Sequence, residues 1–306
     1  MATARTSILL VVAAGILFGT AGTAQALGPS ATTPVGVGIL RIQVGAVALL
    51  LAMPMLGRSP RRLVALWRTP AMLVTAACAA VYQLCFFWGV AQVGVALGTL
   101  VAVGSEPAFA GLLGWVALGH RPTRGWLLAT IVCVVGLLLR FAGSGVGDAG
   151  SASGLGVVLA LGAGLCSAGY TVAAKVQLER GVTALEVPAG SFVLGGLLLL
   201  PLLLGQPLAW VVEPSGLALA LYLGVATMAI ANVLLTRGIH GLAPGPTATL
   251  MLTDPVVATL LGVVVLGEAL PPLAAVGVAL VLGGLVLQGV IVARDQPGDM
   301  EPVPVL

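Results

Sequence analysis

The sequence predicts an all-α integral membrane protein, with ten transmembrane helices arranged as two inverted five-helix repeats. Three observations carry that expectation. Of the 306 residues 59% are hydrophobic and 8% charged, whereas about a quarter of a soluble domain is charged. The apolar residues fall into ten segments, each near the roughly 20 residues that a helix needs to cross a bilayer. The chain is also duplicated. Thr99–Leu139 lies over Thr247–Leu287 without a gap, an offset of 148 (247 less 99), sharing Pro107/Pro255, Ala110/Ala258, Gly114/Gly262, Leu118/Leu266, Gly119/Gly267 and Gly136/Gly284. Five spans per copy is an odd number, so the copies insert in opposite senses.

The spans follow in order. The first, 8–27, follows Arg5; its apolar run and Ala24-Gln25-Ala26 also resemble a secretory signal with a cleavage site. Ala14-Gly15 recurs as Ala163-Gly164 in the sixth span, and cleavage would leave four spans against five, so 8–27 is read as a true helix. The second and third, 34–56 and 70–90, open on Pro34 and Pro70, a favoured first helical residue. The fourth, 96–118, lies between Gly94 and Gly119, and the fifth is 123–141. The Gly/Ser-rich stretch 142–153 is a flexible outer linker between the repeats, 8–141 and 154–292. The second repeat holds spans 154–175, 185–204, 215–236, 244–266 and 271–292. The Pro-rich tail, 293–306, is read as disordered.

Orientation follows from the bias of Lys and Arg toward cytoplasmic loops. With the N-terminus inside, eleven basic residues lie on cytoplasmic segments, Arg140 alone on an outer one, and Arg41 within a span. Both termini are then cytoplasmic. Lys175, at a cytoplasmic helix end, is read as a snorkelling side chain.

Chemistry concentrates in two carboxylates. Glu106-Pro107 and Asp254-Pro255 stand in mid-span at matching positions of the fourth and ninth spans. A charge at the bilayer centre costs about 2.5–3.5 kcal/mol on insertion scales, so it is rare. Pro107 and Pro255 are read as helix breaks: each removes a backbone N–H, freeing the carbonyl four residues earlier, at Val103 and Met251. Freed carbonyls beside an acid are tolerated where they face protein or a watery cavity. The pair either responds to protons or substrate or ties neighbouring helices together.

Arg41 lies about 10 Å below the outer end of its helix at 1.5 Å per residue. It either snorkels outward or supplies a counter-charge to an anionic group. A polar and aromatic set lies at comparable depth: Thr20, Tyr82, Gln83, Trp88, Tyr170 and Asn232, with Thr23, Ser167, Thr171 and Thr236 beside them. Each alone is most often helix packing; together they suggest a cavity for a polar organic solute. The four cysteines (Cys78, Cys85, Cys133, Cys166) lack metal spacing and are read as packing thiols. No metalloprotease, phosphate-loop or nucleophile-elbow motif is present. The expectation is therefore a carrier and not an enzyme, with no cofactor, no metal and no nucleic-acid partner. Its partners are the lipid bilayer and a small-molecule substrate.

These residues resemble the drug/metabolite transporter superfamily, in its ten-helix branch with two EamA domains, over almost the whole chain. Asp254-Pro255 through Leu266-Gly267-Glu268 is similar to the family's ninth span, while in the first copy His120 follows Leu118-Gly119. Ala160–Tyr170 is similar to amino-acid-exporting members, which usually carry Trp where this chain has Ser167. Gly36–Arg41 resembles the family's second-helix arginine. The resemblance implies an inner-membrane exporter of amino acids, related metabolites or toxic organics. It also implies a cavity among helices one, three, four, six, eight and nine, and a homodimer, if one forms, through the peripheral fifth and tenth. An uncoupled facilitator and a multidrug efflux pump are the alternatives, and a membrane-embedded enzyme or scaffold a further one.

Overall fold

The computed structural model describes residues 4–143 and 153–295. The linker expected at 142–153 and the tail beyond 295 fall almost wholly outside them. Ten helices are long and apolar enough to cross a membrane, and no strand occurs among the described residues. They are α1 (Ala4–Ala26), α2 (Pro34–Met55), α3 (Pro70–Val93), α4 (Val95–Leu118), α5 (Arg124–Gly143), α6 (Gly154–Glu179), α7 (Glu186–Leu203), α8 (Pro214–His240), α9 (Pro244–Leu266) and α10 (Pro272–Asp295). A short helix, Arg61–Leu66, joins α2 to α3. The tenth helix continues to Asp295, into the stretch read from sequence as tail.

Local chemistry sets the ends. Thr33 accepts a hydrogen bond from the Gly36 N–H, and Thr123 one from Trp126, so each caps a helix start. Thr183 and Glu186 exchange backbone-to-side-chain bonds of 2.9 and 3.3 Å, a capping box before α7. Gly119 and Gly267, at φ 72° and 70°, end α4 and α9 in the left-handed region where a side chain is strained. The next N–H turns back in both, His120 to the Gly114 carbonyl and Glu268 to the Gly262 carbonyl. The shared Leu-Gly is thus a duplicated helix stop.

The two prolines act differently. Helix α4 is continuous through Pro107, so that expected break does not form. Helix α9 is broken at Met251–Leu252, before Thr253-Asp254-Pro255. The Met251 carbonyl is not freed there, because it accepts the Asp254 N–H at 3.0 Å. Helix α8 widens into a π-helical stretch over Tyr222–Ile230, a distortion common at functional sites.

Glycine contacts display the repeat relation residue by residue. A Cβ added at Gly89 of α3 would stand 3.1 Å from the Ala160 nitrogen and 3.2 Å from the Gly156 carbonyl. One added at Gly238 of α8 would stand 3.2 Å from the Val11 nitrogen and 3.0 Å from the Ser7 carbonyl. Each residue of the second seam is the counterpart of one in the first, 149 positions away (238 less 89, 160 less 11, 156 less 7). Helices α3–α6 and α8–α1 therefore pack alike, at the distances that only small residues permit. The α5–α10 pair matches itself: Gly136 abuts the Gly277 carbonyl and Val281 nitrogen, and Gly284 the Ala129 carbonyl and Cys133 nitrogen. An offset of 148 exchanges the members of that pair (284 less 136, 277 less 129, 281 less 133). With five helices per copy, this exchange relates repeats of opposite orientation.

Candidate functional site

The acids sit where the two repeats meet. Gly15 of α1 lies against Thr253 and the Asp254 nitrogen at the α9 break, and Gly164 of α6 lies against Ser105 and the Ala102 carbonyl of α4. Ser105 and Thr253 are counterparts, so each small-residue contact holds one acid-bearing helix against the first helix of the opposite repeat. The broken α9 places Asp254 in the first turn of its second half, where the helix dipole favours a negative charge.

Four of the expected residues come together. The Arg41 guanidinium of α2 is within electrostatic range of Asp254 and of the Tyr82 hydroxyl, and Tyr82 in turn of Glu106. Glu106 faces the Ser167 hydroxyl of α6 and the Asp254 charge. All four are surrounded by protein, yet each keeps accessible surface. Within a membrane such groups are tolerated where they face protein or water and not hydrocarbon. The Arg41 Nε has no hydrogen-bond partner among the described residues. Arg41 therefore turns inward, toward the acids, and α2 joins the helices around them.

An aromatic strip borders this group. Tyr82 stacks on Phe86 with ring centroids 5.6 Å apart, and both pack against small residues of α4 and α6, Ala102, Ala160 and Ala163.

The remaining residues are placed elsewhere. Gln83 is buried and donates to the Gly38 carbonyl at 2.8 Å, joining α3 to α2. Trp88 is 60% exposed, unlike the acids, which are largely surrounded by protein. Tyr170 is buried at the α6–α7 seam, stacked on Phe192. Asn232 donates to the Met228 carbonyl of its own helix, and Thr236 to the Asn232 carbonyl. Thr20 meets the Tyr222 hydroxyl at 2.7 Å, bridging α1 to the π-helical stretch; Tyr222 was not anticipated, and its π-helical setting has no sequence signature. Lys175 does not snorkel: it is buried, and its Nζ donates to the Ile239 and His240 carbonyls at 3.1 and 2.7 Å, capping α8. Among the described residues no cluster of His, Cys, Asp or Glu could hold a metal ion.

Comparison with known proteins agrees with this architecture. The EamA-like transporter family model matches residues 5–142 and 154–289. The "Uncharacterized transporter YwfM" of Bacillus subtilis (strain 168) is 37% identical over 279 residues, 91% of this chain and 92% of that protein. A "Probable terminal-alkyne amino-acid exporter" of Streptantibioticus cattleyicolor is 34% identical over 263 residues, 82% of each chain. A crystal structure of a further protein superposes with a TM-score of 0.77 at 21% identity, covering 95% of this chain and 99% of that one; it bears on the fold alone.

Proposed function

From the premise that this chain belongs to the EamA-like transporter family, we propose that it exports a small, amino-acid-like metabolite by alternating access, coupled to proton entry. It sits in the inner membrane with both termini cytoplasmic. The observation that carries the reading is the meeting of Glu106, Asp254 and Arg41 beside the α9 break, where we infer a crevice.

Charge counting supplies the mechanism. Two carboxylates and one guanidinium leave one negative charge in excess, and Asp254 is the acid opposite Arg41. Glu106 is then the site where a cationic ammonium or a proton restores balance. The two exclude one another, so cargo leaves as a proton binds, which is the requirement for antiport. The buried, unpaired Arg41 Nε offers a charge-assisted hydrogen bond to the cargo carboxylate once the crevice opens to it. Tyr82 and Phe86 supply an apolar wall for its side chain. The two equivalent repeat packings give the two states of the cycle. The amino-acid exporter among the relatives supports this cargo class.

Reconstituted protein tests the reading. Counterflow across amino acids, organic cations and sugars identifies the cargo class. Glu106→Gln should then abolish flux driven by a pH gradient and weaken counterflow, because the same carboxylate holds the cargo ammonium. Proton-driven flux in that variant equal to the parent's would sink the coupling assignment.

A further inference from the structure

The two ends of the α5–α10 pair should be equivalent, and they are not. At the outer end Arg140 donates from Nε to the Thr259 hydroxyl at 2.8 Å, faces the Glu268 carboxylate and lies over the Phe141 ring, 4.3 Å from its centre. The offset of 148 carries these four onto Gln288, Gly111, His120 and Gly289 (288 less 140, 111 from 259, 120 from 268, 289 less 141). Every filling group is thereby shortened, lost or changed in charge.

The inner end is accordingly hollow. A cavity of about 200 Å³ opens between the end of α4, the start of α5, the start of α9 and α10, far more than the ~10–15 Å³ that one water needs. Gln288 forms part of its wall. That residue is fully buried, and neither its amide oxygen nor its nitrogen has a partner among the described residues. A buried amide left unpaired costs roughly 1–3 kcal/mol, so the position calls for a polar occupant. His120 and Arg121 stand at the rim, Thr123 beside them, and Trp126, Pro244 and Ile291 make the wall apolar; no acid lines it. Neither Glu106 nor Asp254 lines this cavity.

We propose that this cavity binds a phosphate group carried on an apolar stem: the headgroup of an anionic phospholipid of the inner leaflet. Arg121 and His120 meet the phosphate, the Gln288 amide turns to its oxygens, and the apolar wall takes the glycerol and first methylenes. Basic pockets between membrane helices at this depth are suited to such headgroups. The leaflet assignment rests on the orientation proposed above, but binding itself does not.

The test uses the full-length protein, delipidated in detergent, with binding followed by native mass spectrometry and melting temperature. Phosphatidylglycerol should bind and raise the melting temperature, while phosphatidylcholine and inorganic phosphate should not. Arg121→Gln should weaken binding about fivefold, the gain of one basic residue at an anionic surface. Gln288→Leu, which removes the amide at similar volume, should weaken it about tenfold, as for a hydrogen bond to a charged group. Arg180→Gln, on a distant loop, should leave it unchanged, and lipid-free melting shows that each variant is folded. Equal binding of the two lipids, an equal response to inorganic phosphate alone, or parental affinity in both pocket variants would overturn the proposal. Transport plays no part in the readout, so its failure and that of the carrier reading are distinguishable.

Discussion

Replacing Lys175 with methionine tests how the bundle is closed at one end. The ammonium donates to the last two carbonyls of α8, at 3.1 and 2.7 Å, from a side chain that is 10% exposed. It thereby satisfies helix-end groups and offsets the negative pole of the helix dipole. The Glu179 partner, 3.8 Å away and half exposed, adds little, since exposed pairs contribute about 0–1 kcal/mol. A hydrogen bond from a charged donor is worth about 1.5–3 kcal/mol, whereas bonds between membrane helices average about 0.6 kcal/mol. Returning the buried ammonium's hydration offsets part of the first figure, so a net loss of about 2 kcal/mol is expected between these bounds. At roughly 2–4 °C per kcal/mol for chains of this size class, Lys175→Met should lower the melting temperature by about 4–8 °C. Intrinsic tryptophan fluorescence during heating in detergent measures it, with Glu179→Gln as the control that should change little. A Lys175→Met melting temperature within about 1 °C of the parent, well below that scale, would refute the capping argument.

Other outcomes follow from the packing. Gly89→Val and Gly238→Val fill equivalent close contacts, and overpacking costs about 1–3 kcal/mol, so unfolding in detergent should show two destabilised variants of similar size. A marked inequality would count against the equivalence of the repeats. Gln83→Leu should lose stability by up to about 1.7 kcal/mol, the upper end of double-mutant-cycle values for hydrogen bonds between membrane helices, with counterflow retained. Trp88→Ala should leave counterflow at the parent rate, because the ring is 60% exposed and, among the described residues, makes none of the contacts that join the acids; a lost rate would place it on the cargo path.

Much of this architecture was legible in the primary structure because bilayer thickness imposes a segment length and duplication repeats it. The shared Leu-Gly helix stops and the depth of the two acids could be read directly. Which face of each helix meets lipid could not. Lipid tails are as apolar as a protein core, so no hydrophobic stripe separates the exposed Trp88 from the partly buried Tyr82 and Phe86. The breaks were half legible: a proline removes one hydrogen bond, and neighbours decide whether the helix opens, as in α9, or continues, as through Pro107. Gln83, Tyr170 and Asn232 were grouped with the acids by depth alone, since span arithmetic gives height along a helix and not its rotation. The hollow beside Gln288 depends on four substitutions at once and becomes visible only when the two ends are superposed.

The seam between α5 and α10 has a historical consequence. Gly136 and Gly284 each approach the backbone positions that the other's repeat supplies, so the surface is complementary to an upside-down copy of itself. A half-length forerunner inserting in both directions would have met its own inverted copy along this line, and fusion of two genes would then only have had to tether an association that already existed. Once joined, the halves could diverge, and the unlike ends of this seam record where they did.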